Sequence, residues 1–190
     1  MDSDSGAQVI SIVDYDPTWP ATFAWLRDRA WRVLGDVAQS IEHVGSTSVP
    51  GLAAKPIIDI DVVAPSPEAS RASIARLSTL GYEHLGDLGI AGREAFGAPP
   101  EDPAHHLYVC LAGSRALRNH VQFRDYLRQH PDAVAAYATL KRSLATAFAR
   151  DRLAYGEAKT AFIVRILQAH GSLSAAELAA IRAENVRALS

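Results

Sequence analysis

The chain has 190 residues and a formal net charge of −2, and 48% of its residues are hydrophobic while 21% are charged. This balance is typical of a globular protein and argues against nucleic acid as a partner, since that role favours a basic domain. The single cysteine, Cys110, excludes a disulfide framework and a cysteine-based zinc site. No stretch approaches the roughly 20 apolar residues of a membrane span. We therefore expect a cytoplasmic protein without a membrane partner, with a disordered start (1–8), one domain (9–170) and a C-terminal helical extension (171–190).

The charges are unevenly distributed along the chain. Residues 1–114 contain 7 Lys/Arg and 15 Asp/Glu, whereas residues 115–190 contain 12 and 6. One interpretation is that the acidic and basic residues form two separate solvent-exposed surfaces. The alternative is that the acidic part holds a divalent cation while the basic part supplies countercharge for phosphates.

The first third of the sequence contains strand patterns around one amphipathic helix. The helix has an N-cap and a first-turn proline at its start and apolar residues on one face. The last strand is a β-branched run and the clearest of the three. In chain order we predict a strand over residues 9–13, a helix from Asp16-Pro17 to Gly35, a strand over residues 40–44, a glycine-bounded loop over residues 45–51 and a strand over residues 57–63.

The rest of the chain changes from mixed to helical patterns. Strands joined by a crossover helix and followed by a helical block predict an α+β fold. The expected elements are a helix from Ser66-Pro67 to about Leu80, a strand over residues 82–85, a glycine- and proline-rich loop over residues 86–104, a strand over residues 106–111, helices from Arg118 that break at Pro131 and near Asp151, and a last helix after the capping box Ser174–Glu177.

Two carboxylates share one face of the clearest strand. Because side chains alternate along a strand, Asp59 and Asp61 project to one side while Ile58 and Ile60 project to the other. Their α-carbons would lie roughly 6.6 Å apart, close enough for both carboxylates to bind one cation. Mg²⁺ suits such a pair, since it is held by one or two carboxylates together with substrate phosphates. The alternative is a half-exposed strand with two solvated aspartates.

The loop before this strand contains Gly45-Ser46, which can offer backbone N–H groups and a hydroxyl to a phosphate. It is not a Walker A loop, because five residues separate Gly45 from Gly51 and no Lys-Ser/Thr follows. A bare Gly-Ser pair is also common in ordinary turns.

These motifs and several others together resemble the GrpB family. The match covers about residues 9–168, and its longest part is too specific for chance similarity. The matching strings are YDPTW (15–19), IEHVGSTSVPGL (41–52), KPIIDID (55–61), HHL (105–107), FRDYL (123–127) and EAKT (157–160).

The resemblance implies a fold and a chemistry. That family is assigned to the nucleotidyltransferase superfamily, whose enzymes transfer a nucleotidyl group from an NTP with two Mg²⁺ ions. The implied fold is α+β and polymerase β-like, a mixed sheet with helices on one face and a helical C-terminal half that forms the other wall of a cleft. Gly45 and Ser46 would then be the phosphate-facing turn, and Asp59 and Asp61 the catalytic metal ligands.

The superfamily pattern also has a third carboxylate on a later strand, which this chain lacks. The strand over residues 105–110 reads HHLYVC, with no Asp or Glu. His106 and Tyr108 share the face that reaches the acidic pair, whereas His105 faces the opposite way. His106 is therefore a candidate general base or substrate contact, or else a structural histidine.

Further residues complete the predicted cleft, although each is also compatible with ordinary surface charge or a structural role. The expected nucleotide is an NTP, with ATP the first choice. The candidate phosphate contacts, besides Gly45 and Ser46, are Thr47, Ser48, Lys55, Arg118, Arg124, Lys141 and Lys159, and the other cleft candidates are Glu42, His43, His105 and Tyr108.

Two functions fit this set of residues. The first is a nucleotidyltransferase that depends on Mg²⁺ or Mn²⁺ and transfers from an NTP to a small-molecule or protein acceptor, with γ-phosphoryl transfer as a near variant. The second is a non-catalytic nucleotide- or metabolite-binding module of the same fold, which the missing carboxylate makes plausible.

Overall fold

The fold was obtained as a computed structural model that describes residues 9–169 and 174–187. It combines a five-stranded mixed sheet with α-helices, which confirms the predicted α+β class. The elements are α1 (Trp19–Leu34), β1 (Ser40–Val44), β2 (Ile58–Ala64), α2 (Pro67–Ser78), β3 (Glu83–Gly86), β4 (Arg93–Gly97), β5 (His105–Leu111), α3 (Arg115–Gln129), α4 (Pro131–Ala147), α5 (Arg152–Ala169) and α6 (Ala175–Arg187).

The sheet has the strand order β1-β2-β5-β4-β3, and only the central β2 and β5 run parallel to each other. This pairing places Asp59 beside His106 and Asp61 beside Tyr108. On the other side of β2, Glu42 of β1 is the neighbour of Asp61. The acidic strand therefore lies inside the sheet, flanked by the strands that contain the other cleft candidates.

The two faces of β2 have different environments, as its alternating sequence predicts. Ile58, Ile60 and Val62 are buried in a core that includes apolar residues of α1 and α2. The opposite face, with Asp59 and Asp61, is turned toward the C-terminal helices. A second core joins α3, α4 and α5 to residues 49–53 of the loop after β1. The cleft between these two cores is where the candidate site lies.

The first helix begins later than predicted. It starts at Trp19 and not at Asp16-Pro17, because the Asp16 carboxylate accepts hydrogen bonds from the Thr18 N–H (2.8 Å) and hydroxyl (2.7 Å) in a turn before the helix. The proline in the first turn is Pro20. The predicted end at Gly35 is confirmed.

Two other predictions about secondary structure were wrong. Residues 9–13 form no strand but a single bridge between Val13 and Ala54, and the Ile10 N–H donates to the Ala149 carbonyl at 2.8 Å. The segment 86–104 is not all loop, because residues 93–97 form β4. That strand is too short to stand out among its glycines and prolines, and pairing with both β3 and β5 stabilises it.

The helical C-terminal part has the predicted breaks and the predicted capping box. The Ser174 N–H donates to Glu177 Oε2 at 2.8 Å, and the Glu177 N–H donates to Ser174 Oγ at 3.2 Å. Residues 1–8, predicted to be disordered, lie outside the described residues, as does part of the predicted extension. Among the helices described, none is long and apolar enough to cross a bilayer.

Candidate functional site

The turn after β1 is pressed against the first carboxylate of β2. Gly45 has φ +68°, and a Cβ at this position would lie 2.0 Å from Asp59 Oδ2. No other residue fits without moving the turn or the carboxylate. Residues Ser46–Ser48 then form one turn of 3₁₀ helix, which presents the Ser46 side chain to the cleft.

All three lysines of the protein line one cavity of about 80 Å³ beside this turn. Lys141 Nζ, on α4, donates to Ser46 Oγ at 3.0 Å. Lys55 and Lys159 lie 5.6 and 4.5 Å from the Tyr155 ring centroid. The remaining 16 basic residues are arginines. We call this space the lysine cavity; besides the lysines, its walls are Ser46, Ala54, Ile57, Asp59, His106 and Tyr155.

The amines in the lysine cavity are poorly solvated. Burial, and to a smaller extent the neighbouring cations, lowers the pKa of Lys141 to about 7 and that of Lys159 to about 8. The pKa of Lys55 is also lowered, by burial and then by Arg152. Within the described residues, no carboxylate forms an ion pair with any of the three. The cavity is therefore a place where a polyanion would restore the charge of the amines.

The burial of Lys141 leads to a prediction for stability. In the unfolded chain its amine stays protonated to about pH 10.5, whereas in the folded protein it loses its proton near pH 7, so the native state is penalised most at and below pH 7. We expect Lys141→Met to stabilise the nucleotide-free protein at pH 6–7 by at least about 1 kcal/mol, or about 2–4 °C in Tm. The gain should shrink as the pH rises toward 10. Thermal melts of both proteins across this pH range measure it, and a destabilised variant at pH 6 would contradict it.

A second cavity of about 250 Å³ adjoins the first and shares Ser46, Asp59 and Lys159 with it. We call it the aromatic cavity. Tyr108 contributes a phenol to this cavity. Burial, and to a smaller extent the nearby Asp59, raises the pKa of Tyr108 to about 12, so the phenol stays protonated. The other lining residues are Val44, Gly45, Asn119, His120, Phe123, Tyr137 and Ile163.

Each carboxylate of β2 is paired with a histidine. His106 Nδ1 lies 2.9 Å from Asp59 Oδ1, and His120 Nδ1, on α3, lies 2.8 Å from Asp61 Oδ2. Burial alone would lower the pKa of His120, but the charge of Asp61 raises it overall. His120 was not predicted from the sequence, because its contact with Asp61 spans 59 residues.

The two carboxylates differ in how they could hold a metal ion. Asp59 lines both cavities, and its Oδ2 is not occupied by His106. Asp61 is fully buried, and its Oδ1 has no hydrogen-bond partner among the described residues. Among the residues whose side chains the structure describes, no three His, Cys, Asp or Glu form a metal-binding group. These residues fit a cation shared between Asp59 and a bound phosphate, while Asp61 could offer only its buried Oδ1, since His120 occupies its Oδ2.

The other predicted loop residues serve the turn itself. Thr47 is buried and its hydroxyl lies 3.4 Å from the Ile57 carbonyl. Ser48 Oγ donates to the Gly45 carbonyl at 2.6 Å, and the Ser48 carbonyl accepts two hydrogen bonds from Arg128. Neither side chain lines the two cavities, so the geometry gives them a supporting position.

Two predicted cleft histidines are buried away from both cavities. His43 Nε2 lies 3.0 Å from Thr47 Oγ1, and burial lowers the pKa of His43 to about 4, so its ring is neutral. His105 faces the opposite side of β5, as predicted; it donates from Nδ1 to the Pro103 carbonyl and accepts from the Tyr82 hydroxyl, both at 2.7 Å. Both histidines stabilise the fold around the site.

The predicted arginine contacts are engaged by protein carboxylates. Arg124 donates to Glu42 Oε2 at 2.9 Å and to Asp125 Oδ1 at 2.7 Å, which ties α3 to β1. Arg118 pairs with Glu177 of α6. The structure thus brings neither arginine, nor Glu42, into the lining of the two cavities.

The sheet topology and the position of the turn define a nucleotidyltransferase-like fold. A crystal structure of the Cid1 poly(U) polymerase bound to MgATP aligns with a TM-score of 0.54 at 12% identity, over 78% of this chain and 50% of that one. At this identity the likeness concerns the fold alone.

Closer relatives identify the family. The model described as "GrpB protein" matches residues 9–169. The crystal structure of the conserved protein GrpB from Enterococcus faecalis aligns with a TM-score of 0.76 and 33% identity, over 84% of this chain and 96% of that one. A UPF0157 protein of Pseudomonas aeruginosa is 39% identical over 162 residues, which is 83% of this chain. The chain belongs to the GrpB family.

Some curated relatives are longer than the matched region. The chain spans 66% of the Pseudomonas aeruginosa protein. It spans 40% of the UPF0157 protein YqkA of Bacillus subtilis.

Proposed function

We propose that the protein binds a nucleoside triphosphate in the two adjoining cavities and, with Mg²⁺ or Mn²⁺, transfers its nucleotidyl group to a small-molecule or protein acceptor. The observation that carries the proposal is the lysine cavity, in which all three lysines face Ser46 and Asp59 without a carboxylate partner among the described residues. A buried cation needs an anion nearby, and three lysine amines together match the charge of a polyphosphate.

The shape of the site supports a nucleotide over a bare polyphosphate. The lysine cavity continues into the aromatic cavity, where Tyr108, Phe123 and Tyr137 line the space that a planar group would occupy. The volume of about 250 Å³ is close to the lower limit of about 300–1,000 Å³ for small-molecule sites. A triphosphate beside the lysines and a nucleoside beside the aromatic rings would fill both spaces.

Catalysis would depend on position and charge. The acceptor oxygen or nitrogen forms a bond to the α-phosphorus, the bond to the bridging oxygen breaks, and pyrophosphate leaves. Lys141, Lys159 and the Gly45-Ser46 turn neutralise the departing phosphates, and His106 takes the proton from the acceptor. A divalent cation held by Asp59 would supply further charge neutralisation at the phosphates.

The proposed role of His106 gives a testable difference between catalysis and stability. Its side chain is 42% exposed and contacts Asp59 alone among the hydrogen-bonding groups described. We expect His106→Gln to lower kcat by about 10²-fold or more, as removal of a general base does, while Tm changes by little. Turnover and melting of the same variant are compared. A drop in Tm with normal turnover in the folded fraction would assign a structural role instead.

A non-catalytic nucleotide-binding module is the second candidate. It is favoured by β5, which presents His106 and Tyr108 beside the two aspartates where a carboxylate is expected. Such a module would bind an NTP in the same two cavities without releasing pyrophosphate.

One experiment tests nucleotide binding and separates the two candidates. Each of the four NTPs is titrated calorimetrically with Mg²⁺ or Mn²⁺, and pyrophosphate release is followed with pools of small-molecule and protein acceptors. Lys159→Met serves as the variant expected to lose binding, and Arg142→Met, a change on exposed α4 surface, is the matched control. Binding with turnover supports the transferase, and binding without it supports the module. No binding of any NTP by the parent protein would overturn both.

A further inference from the structure

Asn119 is an unengaged amide in the wall of the aromatic cavity. It lies on α3, next to His120, and its side chain makes no hydrogen bond to any residue that the structure describes. Two of its polar neighbours in that wall are already engaged, His120 with Asp61 and Ser46 with Lys141. Its amide donor and acceptor are therefore available to water or to a ligand in the cavity.

The backbone at Asn119 is firmly held. One turn earlier, Ser114 caps α3 by accepting from the Leu117 N–H at 3.3 Å. On the C-terminal side, the bond between His120 and Asp61 fixes the helix to the sheet. A side chain on a fixed backbone position can distinguish between ligands, because its donor and acceptor reach only a limited part of the cavity.

The chemistry of an amide suits the edge of a nucleobase. Asn presents one acceptor and a donor side by side in one plane, and the edges of the bases present a complementary donor and acceptor. The aromatic rings around Asn119 would hold such a planar group in position. We propose that Asn119 reads the base edge of the bound nucleotide and sets its base preference, a role that rests on the nucleotide binding proposed above.

The test is to change the pattern of donors and acceptors at this position. A carboxylate has acceptors alone, so Asn119→Asp can form two hydrogen bonds with the neighbouring N1–H and N2–H donors of guanine but not with adenine. We expect the ratio of GTP affinity to ATP affinity to rise about tenfold relative to the parent, as one bidentate pair allows. The ratio is the informative quantity, because repulsion between the new charge and the phosphates affects both nucleotides alike.

Two further variants make the result decisive. Gln129→Glu, the same chemical change at an exposed position of α3, should leave the ratio unchanged. Asn119→Ala should reduce the differences in affinity among the four NTPs while inorganic tripolyphosphate binds as before. This variant provides the test if Asn119→Asp fails to fold. The role of Asn119 would be overturned, with the proposed function left standing, if the variants still bind NTPs but show the parent's GTP-to-ATP affinity ratio and the parent's differences among the four NTPs. It would also be overturned if the variants keep the parent's base preference but no longer discriminate between ATP and 2′-deoxy-ATP. If the parent binds tripolyphosphate but no NTP, the proposed function fails first.

Discussion

Replacing Asp59 by Asn is expected to abolish the joint stabilisation of the protein by nucleotide and divalent cation. In the parent, a ligand present at 100 times its Kd should stabilise the fold by about 2.7 kcal/mol. Asp59 lines both cavities and its side chain is 31% exposed, so its amide variant should lose this gain while the nucleotide-free protein melts nearly as before. Thermal melts with ATP, with and without Mg²⁺ or Mn²⁺, measure both quantities.

Asp61→Asn is the matched comparison and should behave in the opposite way. Asp61 is fully buried and accepts from His120, so the variant should lose about 1.5–3 kcal/mol of stability without any ligand, the usual value for a hydrogen bond to a charged group. An equal response to the cation in the parent and in the double variant Asp59→Asn/Asp61→Asn would refute a metal site here. If Asp59→Asn and Asp61→Asn lose the response to the cation equally, and the nucleotide-free proteins melt like the parent, Asp61 would be a direct ligand of the metal ion.

Gly45→Ala should be the most damaging single substitution in the turn. The added Cβ would lie 2.0 Å from Asp59 Oδ2, and φ +68° is itself unfavourable for alanine. We expect a loss of about 3 kcal/mol or more in stability, together with loss of nucleotide binding. Gly51→Ala separates the two causes, because Gly51 has φ +78° but nothing within 4 Å of its Cβ position. It should cost about 1 kcal/mol through backbone strain alone.

A change to the side chain next to this glycine should be milder. Ser46→Ala removes one hydroxyl and is expected to weaken nucleotide binding by about 0.5–1.5 kcal/mol, or up to about 3 if the bond is to a charged oxygen. Calorimetric titration of the two variants, beside their melting curves, measures both effects. If Gly45→Ala binds nucleotide like the parent, the close approach of this turn to Asp59 has no functional role.

Local patterns in the sequence were enough to predict how the central residues of the candidate site are placed on their strands. The alternation in IDID placed Asp59 and Asp61 on one face of β2, and the apolar residues between them are buried on the other face. The alternation of side chains along HHLY likewise placed His106 on the side of the acidic pair and His105 on the opposite side. These predictions succeed because the side-chain period of a strand is fixed by its backbone.

Features that depend on contacts distant in the sequence could not be predicted in this way. His120 and Asn119 look like ordinary polar positions on a helix until α3 packs against the sheet and His120 reaches Asp61. Arg124 was a reasonable phosphate contact by composition, but its partner Glu42 lies 82 residues away. The sequence does contain one further signal. Three of its 19 Lys/Arg residues are lysines, and this scarcity marks the three lysine positions as unusual.

The restriction of lysine to one cavity also determines how the protein should be handled at the bench. Amine-directed reagents, such as succinimidyl esters, aldehyde fixatives and biotinylation kits, will find their lysine targets only at Lys55, Lys141 and Lys159. Amine coupling to a sensor surface through any of these lysines would therefore block the cavity that a binding measurement is meant to examine. The same scarcity is useful for footprinting, because the acylation of three sites can be followed by mass spectrometry and compared with and without a candidate ligand.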